Sequence, residues 1–182
     1  YNAVIGSGLS KQELIQIDDA CLSVGASFFA VDVFGCMSIV ISRDTVKKGA
    51  PMREILGAGW GPLSSRRFGA PQLYYAYIAL LEKANADHDA PSSQHWLEIC
   101  KKHGVAHDFA DRNGKSTMGL LQRITELHGK EISASSAIVG GILAQEVTKE
   151  IANDSNPWSN VIVVDTLGET SQEGGALVTK IP

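Results

Sequence analysis

A strand-to-helix turn near the start of the chain limits the possible folds more than any other feature of the sequence. The stretch VIGSGLSK begins with an apolar run and continues through the turn at residues 6–8. Ser10 and Glu13 have the spacing of a capping box, which predicts a helix over residues 11–24 that ends at Gly25. A short strand, a glycine turn and a capped helix are typical of an α/β crossover unit.

Two apolar runs follow this helix and complete the unit. Residues 27–33 and 37–42 are rich in Phe, Val and Ile, which predicts two strands separated by Phe34 and Gly35. A strand, a helix and a strand in this order predict a parallel sheet with a right-handed connection. Helical spacing predicts the core-facing side of the helix, which consists of Leu14, Ile17, Cys21 and Val24.

The middle of the chain has a different character. Residues 45–67 are rich in Gly, Pro and Ser and show little periodicity. Beyond them the pattern predicts three helices, over residues 71–85, 92–103 and 116–128. The first of these is apolar almost all round, which predicts that it is buried.

The last part of the sequence returns to the α/β pattern. Ser133, Ser135 or Ser136 is positioned to cap a long helix that ends near Ala152. The run NVIVVDT predicts a buried strand, and ALVTKI alternates as an edge strand does. The sequence therefore predicts an α/β fold in which residues 1–45 and 133–182 form one domain around a mostly helical insertion at 46–132.

Composition narrows the class of protein. The 182 residues are 44% hydrophobic and 20% charged, which is typical of globular domains. A net charge of -4 argues against general binding to nucleic acid or anionic membranes. The chain starts at Tyr1 inside a strand-like run, so we interpret it as a fragment with an apolar sheet edge and expect it to self-associate.

The glycine turn does not match a nucleotide-binding motif. A dinucleotide fingerprint needs a third glycine at the position that Lys11 occupies. A Walker loop needs four residues between its glycines and a following Lys-Ser or Lys-Thr pair, which is also missing. An anion at the helix N-terminus stays possible in principle, but a tight turn into a capped helix is the favoured interpretation.

One segment of the sequence contains a possible set of zinc ligands. Cys100, His103 and His107 follow a C-x2-H-x3-H spacing, with His95, Asp108 and Asp111 nearby. However, Gly104 interrupts the helix between the two histidines, and Cys100 shares an apolar helical face with Trp96 and Leu97.

Neither cysteines nor carboxylates indicate a catalytic centre. Cys21 and Cys100 fall within predicted helices and Cys36 starts a strand, so none has the setting of a reactive thiolate. The pair Asp18-Asp19, and Glu146 with Glu150, have spacings common on solvated helix faces. We therefore predict no catalytic, cofactor-binding or metal-binding residue in this chain.

A stripe of small residues on the last long helix is the most informative pattern. Its members recur at i, i+3, i+4, i+7 and i+11, and are Ala137, Gly140, Gly141, Ala144 and Thr148. Two interior glycines cost a helix about 1 kcal/mol each relative to alanine, so close approach by another element would offset them. That element is either the sheet of the same domain or a partner subunit. The charged residues of this helix exclude a membrane span.

The order of these segments resembles the later half of the ubiquitin-like-protein activating enzymes. The run FFAVDVFGCMSIVIS precedes SAIVGGILAQEVTKEIA and NVIVVDTLGE, as in the non-catalytic subunit of the SUMO-type heterodimer. The likeness follows the whole chain but is strong only over residues 27–42 and 136–166. It implies the later strands of a Rossmann-like adenylation domain of the ThiF type.

The resemblance also implies a division of labour. In the catalytic partner, the turn that corresponds to residues 6–10 carries an Asp that helps to hold magnesium-ATP. Here no carboxylate occurs until Glu13, and the thioester-forming cysteine of the family belongs to the other subunit. The expected partners are a catalytic subunit that binds ATP and magnesium and, indirectly, a ubiquitin-like modifier, in the nucleus and cytoplasm.

Two other functions stay open. The chain is alternatively the inactive adenylation half of a single-chain ubiquitin-activating enzyme, which the upstream sequence would reveal. It is otherwise a fragment of a nucleotide-binding oxidoreductase, which would require the turn between Gly6 and Lys11 to bind NAD.

Overall fold

The computed structural model describes residues 2–43, 49–57, 74, 77–78, 80–82, 93–103, 126–127, 130–153, 160–166 and 177–181. The strands in these ranges are β1 (Ala3–Gly6), β2 (Ser27–Phe34), β3 (Met37–Arg43), β4 (Asn160–Asp165) and β5 (Leu177–Ile181). The helices are α1 (Lys11–Ser23), α2 (Met52–Gly57), α3 (Ser93–His103) and α4 (Ser133–Ile151). The chain is therefore a mixed α/β structure, as its sequence predicts.

The five strands form one sheet in the order β1-β2-β3-β4-β5. Strands β1 and β2 pair in parallel, with Ala3 opposite Ser27 and Gly6 opposite Ala30, as the crossover pattern predicts. The expectation of a parallel sheet is wrong for the other pairs, which are all antiparallel. For β2 and β3 the cause is the short connection at Gly35, whose φ of 61° turns the chain straight back into β3 and leaves no room for a crossover.

Helix α1 starts as its capping box predicts. The Glu13 amide donates to Ser10 Oγ at 3.3 Å, and the Ser10 amide donates to a Glu13 carboxylate oxygen at 2.8 Å. The predicted core face is partly wrong, because Val24 follows the helix and is 76% exposed. The buried residues of α1 are Leu14, Asp18 and Cys21.

Helix α4 has nearly the predicted bounds but a different cap. Its N-cap residue is Ile132, without a side-chain hydrogen bond to the helix, so the predicted serine cap is wrong. Ser135 is instead buried, and its hydroxyl lies 2.9 Å from the hydroxyl of Thr166 at the end of β4. Thr166 in turn donates to the Cys36 carbonyl at 2.7 Å, which fastens the first turn of α4 to the sheet.

Apolar residues cover both faces of the sheet. On one face Leu14 and Cys21 of α1 join side chains of α2, of α3 and of residues 74–82 in the larger core. On the other face Val139 and Leu143 of α4 pack in a smaller core. Because alternate strand residues point to opposite faces, β3 supplies both cores, and all seven of its residues are buried.

The insertion is described in part. Helix α3 confirms the helix predicted over residues 92–103, whereas α2 was not predicted because only three of its six residues are apolar. The described members of the 71–85 segment are helical, and Tyr74, Tyr77, Ile78, Leu80 and Leu81 are buried, as predicted. Of the helix predicted over residues 116–128, only Glu126 and Leu127 are described, and both are helical.

Strands β4 and β5 confirm the two strands predicted at the end of the sequence, and β5 lies at the sheet edge. The β3–β4 ladder joins residues 37–42 to residues 160–165 across the whole insertion. The division into an α/β domain and an insertion stays a prediction. Among the described helices none is long and apolar enough to cross a membrane.

Candidate functional site

The turn after β1 is tied to the sheet by Asp32. Gly8, which has a φ of 67°, donates its amide to Asp32 Oδ1 at 2.8 Å. Tyr77 donates its hydroxyl to the other carboxylate oxygen, Oδ2, at 2.6 Å. Asp32 lies two residues beyond Ala30, the partner of Gly6 in the parallel ladder, so β2 delivers its carboxylate to the turn. The carboxyl end of parallel strands is where α/β proteins usually place their ligand sites.

Burial controls the protonation of this pair. Desolvation raises the pKa of Asp32 above its ordinary value, although the hydrogen bonds from Tyr77 and Gly8 act in the opposite direction. Burial also raises the pKa of Tyr77, with the charge of Asp32 as the next cause. Tyr77 therefore stays a hydroxyl and acts as a donor, and Asp32 accepts from both sides.

Three amide groups at the turn and in the first turn of α1 are bonded within the chain. Gly8 donates to Asp32, the Ser10 amide donates to Glu13, and the Glu13 amide donates to Ser10. An incoming phosphate would have to displace the Asp32 carboxylate to reach the Gly8 amide, or the Glu13 carboxylate to reach the Ser10 amide. The turn has the shape of a phosphate-binding loop, but its Gly8 and Ser10 amides donate to carboxylates of the same chain.

An ion-pair cluster lies beside the start of α1. Lys11 and Lys102 each approach the same oxygen of Glu82, Oε1, at 2.7 Å. Burial acts to raise the pKa of Glu82, but the two lysines outweigh it, so the pKa lies below its ordinary value. Glu82 thereby links α1 and α3 by charge to the helical residues 80–82.

Asp18 is part of a buried network, so its assignment to a solvated face is wrong. Its carboxylate lies 2.5 Å from Arg43 Nε, and the two side chains are only 2% and 4% exposed. Asp18 also accepts the Met52 amide at 2.8 Å, while Arg43 donates to the Ala26 carbonyl at 2.8 Å. Asp19 does lie on the surface, where it pairs with Arg53.

The carboxylates of α4 are also buried, which corrects the same prediction for Glu146 and Glu150. Glu146 is 2% exposed and pairs with Lys149 at 2.6 Å. Glu150 accepts a hydrogen bond from the hydroxyl of Ser27 at the start of β2. Glu150 therefore ties α4 to β2, and Glu146 forms an ion pair within α4.

The small-residue stripe of α4 lies on the outside of the molecule. Its five residues, Ala137, Gly140, Gly141, Ala144 and Thr148, are all exposed. The residues that α4 buries include Val139, Leu143 and Glu146, and at 3.6 residues per turn the stripe falls on the opposite side. Packing of the stripe on the sheet of its own domain is therefore wrong.

The two glycines of the stripe have open space above them. A Cβ atom added at Gly140 or Gly141 would meet no side chain and no other element within 4 Å. A shallow groove of about 380 Å³ continues along the helix, lined by Ala144, Gln145, Thr148 and Lys149. Nothing in the described part of the chain uses the close approach that these small residues permit.

The metal and cysteine hypotheses gain no support from the described residues. Among them no group of three or more His, Cys, Asp or Glu side chains is placed to hold a metal ion. His95 Nδ1 lies 3.9 Å from Glu98 Oε2. The side chains of Cys100 and His103, and residues 107, 108 and 111, lie outside the described part.

The two described cysteines are buried. Cys21 and Cys36 are 4% and 2% exposed. Burial is the main cause that raises the pKa of Cys21, which keeps the thiol protonated and unreactive.

Sequence reasoning missed the contact of Asp32 with Gly8 and Tyr77. The available signal was a single carboxylate near the end of the apolar run FFAVDVF.

No family model matches the chain, and no curated protein matches it significantly.

Proposed function

We propose that this chain belongs to the non-catalytic subunit of a heterodimeric, SUMO-type activating enzyme for a ubiquitin-like modifier. Its strands would be the later strands of a Rossmann-like, ThiF-type adenylation domain. The catalytic partner would bind ATP and magnesium, adenylate the modifier and take it as a thioester. The contribution of this chain would be to support and stabilise that partner.

The exposed stripe on α4 is the observation that carries this proposal. A glycine pair inside a helix is costly, and neither glycine is needed for packing among the residues that the structure describes. Small residues let the backbone of a second helix approach closely over an extended length. A partner subunit that lays a helix along the stripe from Ala137 to Ala144 would make use of both glycines, Gly140 and Gly141.

The geometry around the turn supports a non-catalytic role. A magnesium site needs carboxylate or phosphate oxygens that face it. Here Glu13 caps its own helix, and Asp32 accepts hydrogen bonds from Gly8 and Tyr77. The described cysteines are buried, which fits a chain that leaves thioester formation to its partner.

The first test measures the modifier-dependent exchange of pyrophosphate into ATP by the full protein that contains this chain. We expect exchange only when a candidate catalytic subunit is added. Exchange by the full protein alone would mean that it carries a complete adenylation site, which would overturn the proposal. If that full protein is long enough to contain a second adenylation half, the same result would support the single-chain alternative.

The second test places a large side chain on the stripe. Gly141→Leu should weaken binding of the catalytic subunit at least tenfold in a titration followed by calorimetry, because the partner backbone can no longer approach. Gln16→Leu is the matched control, since it adds a leucine at an exposed position of α1, on the other face of the sheet. Equal affinities for the two variants would remove the stripe from the interface.

Titration with NAD tests the oxidoreductase alternative against the proposal. We expect no heat and no shift in the resonances of Gly8 or Ser10, because their amides are already bonded to carboxylates. Saturable binding of NAD at this turn would favour the alternative over the proposal.

A further inference from the structure

Asp32 connects three parts of the molecule that are distant in sequence. Its own strand, β2, lies in the middle of the α/β unit, and its two carboxylate oxygens reach Gly8 and Tyr77, which are 24 and 45 residues away. Gly8 belongs to the turn at residues 6–10, and Tyr77 belongs to the buried helical residues of the insertion. The turn and the insertion therefore meet at one side chain.

A second set of contacts holds the same two parts together. The Tyr77 ring stacks on Phe34 at the end of β2, with the ring centroids 6.3 Å apart and the planes 19° apart. Glu82, five residues further along the chain, binds Lys11 in the first turn of α1. Tyr77 and Glu82 thus place the helical residues against both ends of the turn.

We propose that Asp32 is a latch that couples the conformation of the turn at residues 6–10 to the seating of the insertion residues around Tyr77. Asp32 is partly buried, and a carboxylate that is largely removed from water is stable only while its oxygens have donors. If the Tyr77 hydroxyl leaves, Oδ2 loses its described donor, and the carboxylate must rotate or admit water to recover one. Either movement stretches the bond from the Gly8 amide to Oδ1.

The coupling has a functional consequence that does not depend on the proposed activity. A partner that lifts the helical residues from the sheet would loosen the turn at the start of α1, although it touches neither Gly8 nor Ser10. In the reverse direction, displacement of Asp32 from Gly8 would weaken the hold on Tyr77. Because both events break a contact of the same carboxylate, the coupling free energy between them is the same in both directions.

Hydrogen exchange of the Gly8 amide, followed by NMR on the full chain, tests this latch. Tyr77→Phe removes one hydroxyl that is not in contact with Gly8, and we expect it to speed exchange at Gly8 about tenfold. The matched control is Tyr74→Phe, which removes a hydroxyl that donates to the Ile55 carbonyl. Exchange at Val40, in the centre of the sheet, reports global unfolding in each variant.

Two further variants separate a latch from simple loss of stability. Asp32→Ala should speed exchange at Gly8 at least as much as Tyr77→Phe, and adding Tyr77→Phe to it should have little further effect. Asp32→Asn keeps an acceptor for Gly8 and should stay close to the wild type. If Tyr77→Phe changes Gly8 no more than Tyr74→Phe does, relative to Val40, the latch is wrong.

Discussion

Asp18 and Asp19 are neighbours on α1 with opposite environments. Asp18 is buried with Arg43 and also accepts the Met52 amide, whereas the side chains of Asp19 and Arg53 are 54% and 69% exposed. Removing one member of a buried pair leaves a charge without water or partner, which costs far more than loss of a surface pair. The two residues therefore form a natural comparison.

Asp18→Asn should lower the free energy of unfolding by about 3 to 5 kcal/mol, because Arg43 loses its buried counter-charge. Asp19→Asn should change it by less than about 1 kcal/mol. Urea denaturation at neutral pH measures both. Similar losses in the two variants would show that the Asp18–Arg43 pair is not buried as described.

Asp32 and Glu82 should give the protein pH dependences of opposite sign. Burial raises the pKa of Asp32, so the folded state holds its proton more tightly than the unfolded state does. The stabilising effect of this residue is therefore present below its ordinary pKa of 3.8 and is lost as the pH rises through the raised value. The pKa of Glu82 is lowered instead, so its contribution is present at neutral pH and is lost on acidification.

We expect the stability of Asp32→Asn, relative to the wild type, to rise between about pH 3.5 and pH 7. The relative stability of Glu82→Gln should fall over the same interval, since glutamine cannot pair with Lys11 and Lys102. Urea denaturation of the three proteins across this range checks both signs. Parallel curves for the two variants would contradict the assigned pKa shifts.

At the scale of single elements, α1 depends on its cap. Ser10→Ala removes the hydroxyl that accepts the Glu13 amide and should cost about 1 kcal/mol of stability. Ser23→Ala, at the other end of α1, removes a hydroxyl that donates only to the Ala20 carbonyl and should cost less. Thermal unfolding of both variants separates the two ends, and a larger loss for Ser23→Ala would contradict the cap assignment.

Helix α4 should respond in opposite directions alone and in a complex. Gly140→Ala and Gly141→Ala should each stabilise the isolated chain by up to about 1 kcal/mol, because a Cβ atom has open space there. If the stripe binds a partner helix, the same substitutions should weaken that binding. Urea denaturation of the two variants measures their stability, and a titration with the partner measures their affinity. A gain in both stability and affinity would show that the stripe is not the interface.

For the whole molecule, local sequence signals were sufficient where the determining contacts are local. The capping box at Ser10, the apolar strands β2 and β3 and the length of α4 all rest on residues close together in sequence. The errors concern partners that arrive from elsewhere. No helical pattern reveals that Arg43 will reach Asp18, or that Asp32 will meet Gly8 and Tyr77, because each contact depends on the assembled sheet.

The exposed apolar surface predicts how the isolated chain behaves in solution. Ile138 is 42% exposed and lies three residues before Gly141, so it flanks the stripe on α4. We expect the average mass to rise with concentration in light scattering, and Ile138→Lys to reduce that rise. Leu22→Lys is the control, since Leu22 is 55% exposed on α1, on the other face of the sheet. A constant monomer mass would contradict this prediction.

The order of strands in the sheet has a consequence for synthesis on the ribosome. Strands β1, β2 and β3 can pair as soon as they emerge, but the next neighbour of β3 begins at Asn160, and residues 44–159 must be translated first. At about 5–20 residues per second, this takes roughly 6 to 23 seconds. During that interval β3, whose residues are all buried in the finished sheet, has one edge without a neighbouring strand, which is a form of nascent chain that chaperones bind. The nascent chain should therefore depend on such protection most strongly while its insertion is being made.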